Sequence, residues 1–361
     1  MSGMNEDELS ASVAGQSADS SSEVQTTTYP INFTGDGTEY FRIWILNLTL
    51  TILTLGIYSA WAKVRTNRYF YGCTELDGDS FEYHAQPIQI LKGRLIAIGA
   101  LVVYVLAQTF APALSLVLFV VLVCFVPLIV VRSLRFRAVM SSWRGVRFGF
   151  QAGAWDAAKA YVFWPLFGMV TLGFGMPVAW YKQNQFAVGH HKFGTTDATS
   201  TTEVGDFYTI FWVLFGLSLG LVFAISILTA ALALLGGDVE TVGPALIGFW
   251  LSYFLLYVVI YAVYQAMNYR LVYQNIVLGG TRSDSNVVTG QWVGIVVVNS
   301  ILLVLTLGLF YPWAKVRLTR YMLAHTAIHR NDLAGFVART GEDESAMGEE
   351  FGEAFDLGIG V

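Results

Sequence analysis

Asn47 and Asn299 each stand seven residues before the threonine of a Thr-Leu-Gly tripeptide, at Thr54 and Thr306. Two helical turns put each amide on the face of its threonine. An amide there either clamps a neighbouring helix, at ~0.6–2 kcal/mol, or lines a route for a polar solute. Tyr253, Tyr257, Tyr261 and Tyr264 follow one another at spacings of four, four and three, which stacks their phenols on one helix face. Lipid would leave those hydroxyls without partners, so the face is expected to look inward, as a polar groove or as packing. Two basic rows, Lys63/Arg65/Arg68 and Lys315/Arg317/Arg320, each follow a tryptophan. They suit anionic lipid headgroups, at ~1 kcal/mol per cation, and equally suit a plain topology signal.

Chemistry of other kinds finds no foothold. The chain has no HExxH, paired CxxC, GxGxxG or P-loop, so no enzyme, cofactor or metal is expected. The histidines are His84, His190, His191, His325 and His329, and no spacing among them repeats as a ligand set. Cys73 and Cys124 fit neither a disulfide framework nor a metal site. No carboxylate lies deep in an apolar segment, where coupled pumps place one. Asp156 and Lys159 read as an interfacial i,i+3 pair.

The elements that carry these residues repeat. TLGIYSAWAKVRTNRYF (Thr54–Phe70) and TLGLFYPWAKVRLTRYM (Thr306–Met322) are copies, and TLGFGMPVAWYKQNQFA (Thr171–Ala187) aligns with both without a gap. The glycine is expected to cap one helix and the following residues to start another. The basic cluster then leads into short hairpins, with Asp77-Gly78, Arg144-Gly145 and Gly279-Gly280 as their tight turns. Several of these hairpins should pair into a sheet at the membrane face.

A 55% hydrophobic, 13% charged composition with a mean hydropathy of +0.55 marks an integral membrane protein. Seven apolar segments run at about Tyr40–Trp61, Leu95–Phe110, Ala113–Val131, Ala160–Trp180, Phe207–Leu235, Ala245–Met267 and Val293–Trp313. None of the 21 Lys and Arg lies at Ala111–Pro112 or Gly236–Pro244, so the positive-inside rule puts those two loops outside. Seven full crossings conflict with that placement. Re-entrant Thr-Leu-Gly segments, leaving four crossings, agree with it; Tyr40–Leu55 would reach only ~24 Å of a ~30 Å core. Local thinning of the bilayer keeps seven crossings open.

The expected fold class is therefore a polytopic α-helical membrane protein, with internally repeated helical segments and small β-hairpins on the cytoplasmic face. Residues 1–28 read as a disordered tail without a signal peptide, 29–330 as the membrane domain, and 331–361 as an acidic tail. The net charge of −5, with basic clusters hugging the bilayer, argues against nucleic acid as a partner. The partner expected is the lipid bilayer, with anionic lipids as candidate ligands; oligomeric state is not readable.

Thr54–Ala97, Arg144–Phe150 and the closing Thr306–Tyr321 resemble the YjgN family of bacterial inner-membrane proteins, over roughly residues 30–330. Cys73 departs from it, standing where asparagine is expected. The resemblance implies a multi-pass protein of the bacterial cytoplasmic membrane and no activity, since the family is a domain of unknown function. Broken helices at corresponding repeat positions point to a transporter or channel for a small uncharged or anionic solute, with Asn47, Asn299 and the tyrosine face along its route. The alternative is a non-transporting membrane module that binds anionic lipid or a protein partner through its basic cytoplasmic face.

Overall fold

The computed structural model describes residues 27–235 and 239–341. A strand–helix–helix–strand pattern recurs five times along them. The first is β1 (Thr27–Phe33), α1 (Gly37–Leu53), α2 (Ser59–Gly72) and β2 (Thr74–Leu76). The second is β3 (Asp79–Tyr83), α3 (Pro87–Phe110), α4 (Pro112–Val139) and β4 (Ser141–Trp143). Next come β5 (Val146–Phe150), α5, α6 (Met176–Gly189) and β6 (His191–Phe193). Here α5 comprises Ala154–Ala158, a π-helical turn at Lys159–Phe163, and Trp164–Val170. The fourth is β7 (Thr196–Ser200), α7 (Val204–Leu235), α8 (Val239–Gln274) and β8 (Ile276–Leu278). The fifth is β9 (Thr281–Ser285), α9 (Thr289–Leu305), α10 (Tyr311–Ala324) and β10 (Thr326–Arg330). A further helix, α11, spans 333–341.

The strands correct the expected fold class. A helical protein with small separate β-hairpins is overturned by one closed antiparallel barrel of ten strands, ordered β1-β10-β9-β8-β7-β6-β5-β4-β3-β2. Closure removes the bare edges that isolated hairpins would leave. The junctions repeat one register: Phe33 pairs with Thr74, Tyr83 with Ser141, Phe150 with His191, Ser200 with Ile276 and Ser285 with Thr326. Each helical pair is inserted at such a junction, so all five pairs leave from one mouth of the barrel. At the other mouth lie the two-residue turns, with positive φ at Asp77-Gly78, Arg144-Gly145 and Gly279-Gly280 as expected.

Leu76, Trp143, Phe193 and Leu278 end β2, β4, β6 and β8, and with Ile328 of β10 they meet in the barrel core. The core is completed by Leu333, Phe336 and Val337 of α11, so this helix plugs the turn-side mouth. Residues 333–341 thus belong to the barrel rather than to a tail, because their apolar face is buried there. The acidic run from Glu342 onward lies outside the described residues. So does the proposed N-terminal tail, except Thr27 and Thr28, which open β1.

The helices form a closed ring, each packing on the next and α10 on α1. Four are long and apolar enough to cross a bilayer: Pro87–Phe110, Pro112–Val139, Val204–Ile227 and Trp250–Gln274. They form two pairs, α3/α4 and α7/α8. A single barrel lies on one side of a membrane, so crossings must come in pairs, which excludes seven. The three Thr-Leu-Gly pairs are shorter: α1 and α9 have 17 residues each, about 26 Å. Among the described residues no Lys or Arg lies at the ends of the α3/α4 and α7/α8 pairs farthest from the barrel.

Candidate functional site

Thr-Leu-Gly builds the apex of each short pair. Leu55, Leu172 and Leu307 take φ of 50°, 54° and 50°, and the glycines after them 92°, 94° and 90°. The amides of Gly56, Gly173 and Gly308 donate to Thr51 O, Gly168 O and Leu303 O at 2.7–2.8 Å. Those of the leucines donate to Ile52 O, Met169 O and Val304 O. This is a Schellman closure with leucine, not glycine as expected, in the left-handed cap position. Each threonine hydroxyl then spans the break. It donates to the carbonyl four residues back (Leu50, Phe167, Leu302) and accepts from the amide four ahead (Tyr58, Gly175, Phe310). The three leucines are 95%, 90% and 94% exposed, forming apolar tips suited to lipid.

Asn47 and Asn299 are buried inside these pairs. Asn299 Nδ2 donates to Ala314 O at 3.2 Å, tying α9 to α10. Asn47 Oδ1 accepts from Arg65 at 3.5 Å, tying α1 to α2. Asn47 Nδ2 and Asn299 Oδ1 are buried without a partner. Tyr253, Tyr257 and Tyr261 are instead exposed on the surface of α8, with Tyr257 and Tyr261 stacked at 6.1 Å. Tyr264 alone turns inward, against Trp180 of α6 at 5.3 Å. The structure therefore does not bring the asparagines and the tyrosine face onto one path.

The basic rows divide by role. Arg68, Arg135, Gln185 and Arg320 stand six residues ahead of β2, β4, β6 and β10. Each donates to a carbonyl where a strand passes into a helix: Ala85, Phe150, Ser200 and Thr202, and Gly35 respectively. They rivet helices to the barrel rim, a role that spacing alone did not disclose. Lys315 lies between rings, 4.2 Å from the Phe70 centroid and 5.4 Å from that of Tyr40. Burial, then the charge of Lys63, push its ammonium down to about 8. Lys63, Arg65 and Arg317 are exposed.

Where α10 closes the ring on α1, a cleft of about 550 Å³ opens between α1, α9 and α10. Ile295, Phe310, Trp313 and Val316 make its apolar wall, and Arg317, Arg320 and His325 its polar end. The indole of Trp313 packs so closely on Gly37 that it leaves no room for a Cβ there. Asp36, also at the edge, is spent as the cap of α1, accepting from the amides of Thr38 and Glu39, which hold its carboxyl below the usual range. Arg320 keeps Gly35 O at 2.8 Å, while Arg317 has no side-chain partner among the described residues. A cation above an apolar wall at the helix-side rim can hold an anionic headgroup with its chain alongside. Tryptophan beside a basic row was the signal available for it; the third wall, from α9, was not.

The histidines are occupied locally. His190 and His325 bond Phe186 O and Tyr321 O at 2.9 and 2.8 Å, and His84 bonds Ser142 Oγ at 2.7 Å. Among the described residues no three of His, Cys, Asp and Glu are placed to hold a metal ion. Asp156 and Lys159 form the expected i,i+3 pair at 3.0 Å.

Similarity to known proteins follows the same ground. The inner membrane protein YjgN of Salmonella typhimurium LT2 is 26% identical over 351 residues, covering 82% of this chain and 87% of the relative. Inner membrane protein YjgN of Escherichia coli K12 is 30% identical over 154 residues, 42% of this chain and 38% of the relative. The same holds for that of E. coli O157:H7. No solved structure matches the chain. Residues 28–354 match the family described as "Bacterial protein of unknown function (DUF898)", and with apolar helices in spanning pairs the chain belongs to that family as a multi-pass inner-membrane protein.

Proposed function

We propose that the chain is a non-transporting inner-membrane module that binds anionic lipid in the cleft between α1, α9 and α10. The cleft itself carries the reading. It joins an unpaired guanidinium, Arg317, to a wall of Ile295, Phe310 and Trp313 beside the bilayer surface. Headgroup phosphate would sit on Arg317, while the acyl chain covers the apolar wall. A transport route through Asn47, Asn299, Tyr253, Tyr257, Tyr261 and Tyr264 has less support, because these residues lie apart. Lys63, Arg65 and Lys315 would then contribute field rather than contacts.

Native mass spectrometry of the detergent-purified chain tests the reading. Phosphatidylglycerol should be retained over phosphatidylcholine, and Arg317→Gln or Trp313→Ala should lower that retention about tenfold, while Arg317→Lys keeps most of it. Equal retention by wild type and both variants refutes a lipid site in this cleft.

A further inference from the structure

The plugged mouth of the barrel holds a second cavity, of about 570 Å³, lined in part by Gly280, Arg282, His329, Arg330, Asp332 and Arg339. Three elements each bring an arginine to it: β9 supplies Arg282, β10 Arg330 and α11 Arg339. Their commitments differ. Arg330 is spent on the barrel, donating to Gly279 O at 2.7 Å, to Thr281 Oγ1 and to Asp332 O, with its guanidinium 3.8 Å above the Phe336 ring. Among the described residues Arg339 donates through its Nε alone, to Gly335 O at 3.0 Å. Arg282 is exposed and has no side-chain partner among the described residues.

Among the described residues the acids nearby offset this group only in part. Asp332 accepts from the Gly335 amide at 2.7 Å and so caps the first turn of α11. Asp284 is 3.9 Å from His329 Nε2, and His329 Nδ1 shares a hydrogen bond with Thr28. Burial first, and then the charge of Arg339, lower the Arg330 guanidinium from its usual value, against the opposing charge of Asp332. Two forks with free N–H groups, converging from different elements, match the oxygens of a phosphate.

We propose that this cavity binds a small phosphate-bearing anion from the cytoplasm, held between Arg282 of the barrel and Arg339 of α11. The run of β9 from Thr281 to Ser285 puts about 14 Å between this mouth and the helix side, away from the bilayer headgroups. Because the two arginines belong to the barrel and to its plug, an occupied site fastens α11 in place. Binding would therefore raise the protein's resistance to unfolding as well as fill the cavity.

Inorganic pyrophosphate is the probe, titrated calorimetrically into the full-length chain in a zwitterionic detergent free of added lipid. Saturable binding is expected, weakened about tenfold by Arg282→Gln and by Arg339→Gln, and largely kept by Arg339→Lys. Arg282 and Arg339 are at the surface of the barrel mouth, and Arg339→Lys also controls for folding. Arg317→Gln, in the lipid cleft, should leave pyrophosphate affinity unchanged. Absence of binding at millimolar pyrophosphate overturns the proposal. So does wild-type affinity in both glutamine variants, or a loss that appears only with Arg317→Gln.

Discussion

Replacing Thr306 by valine deletes one oxygen and keeps the shape, and two hydrogen bonds go with it. The bond to Leu302 O, 2.6 Å, is the lesser loss, since that carbonyl also accepts from the Thr306 amide at 3.0 Å. Its net worth is about 0.5–1.5 kcal/mol. The amide of Phe310 has the Thr306 hydroxyl at 3.0 Å as its partner and would be left bare, at about 1–3 kcal/mol. Thr306→Val should therefore destabilise by about 1.5–4.5 kcal/mol in a bilayer, and Thr306→Ser by far less. The same change at Thr54 strips the amide of Tyr58, and because the two apices share no partner, the effects should add to within about 0.5 kcal/mol. Unfolding by steric trapping in lipid nanodiscs measures both variants and their combination. Water would replace the lost partner if these apices stood outside the bilayer. A loss under about 0.5 kcal/mol from Thr306→Val would refute the immersion of the Thr-Leu-Gly tips and the bridging role of the threonine.

Other outcomes follow from the same geometry. Arg68→Gln and Arg320→Gln remove the rivets to Ala85 O and Gly35 O, and should each lower stability by about 1.5–3 kcal/mol, read as a lower midpoint of thermal unfolding. Arg68→Gln should leave phosphatidylglycerol retention unchanged. Phe336→Ala empties the plug of its largest ring and should destabilise by about 3–5 kcal/mol, with faster proteolysis after residue 331. Lys315 binds its proton more weakly in the folded chain, with a value of about 8 against an ordinary 10.5. Between those values the unfolded chain holds more protons, so stability should rise as pH climbs from about 8 to 10.5 and be flat below. In Lys315→Met that slope should vanish, as measured by midpoint against pH.

The breaks at Thr-Leu-Gly and the hairpin turns were legible in the sequence, because each is local, whereas the count of crossings stayed open between four and seven. Gly78, Gly145 and Gly280 mark turns through backbone freedom, and the empty charge count at Ala111–Pro112 marks a far side. The closed barrel was not legible. Strands of three residues such as Thr74–Leu76 carry no period, and their partners stand across intervening helices. The same distance hides the sites. Arg317 announces a cation but not the wall made by Ile295, and Arg282 meets Arg339 only because α11 folds back over the barrel. Tyr253, Tyr257 and Tyr261 misled for the opposite reason: a helical stripe is plain in the sequence, but which way it faces is a tertiary fact.

The pairing of β1 with β10 sets the order in which the molecule can be completed. Every other strand pair joins neighbours in sequence, so an emerging chain can lay down helical hairpins and strands as they leave the ribosome. The last seam, where Thr27 to Pro30 meet Arg330 to Ala327, waits for almost the whole chain. A product halted before Thr326 would carry its membrane anchors yet present two raw backbone edges, on β1 and β9, to solvent. Completion is thus a property of the ring as a whole, since only the full set of ten strands leaves no edge unpaired.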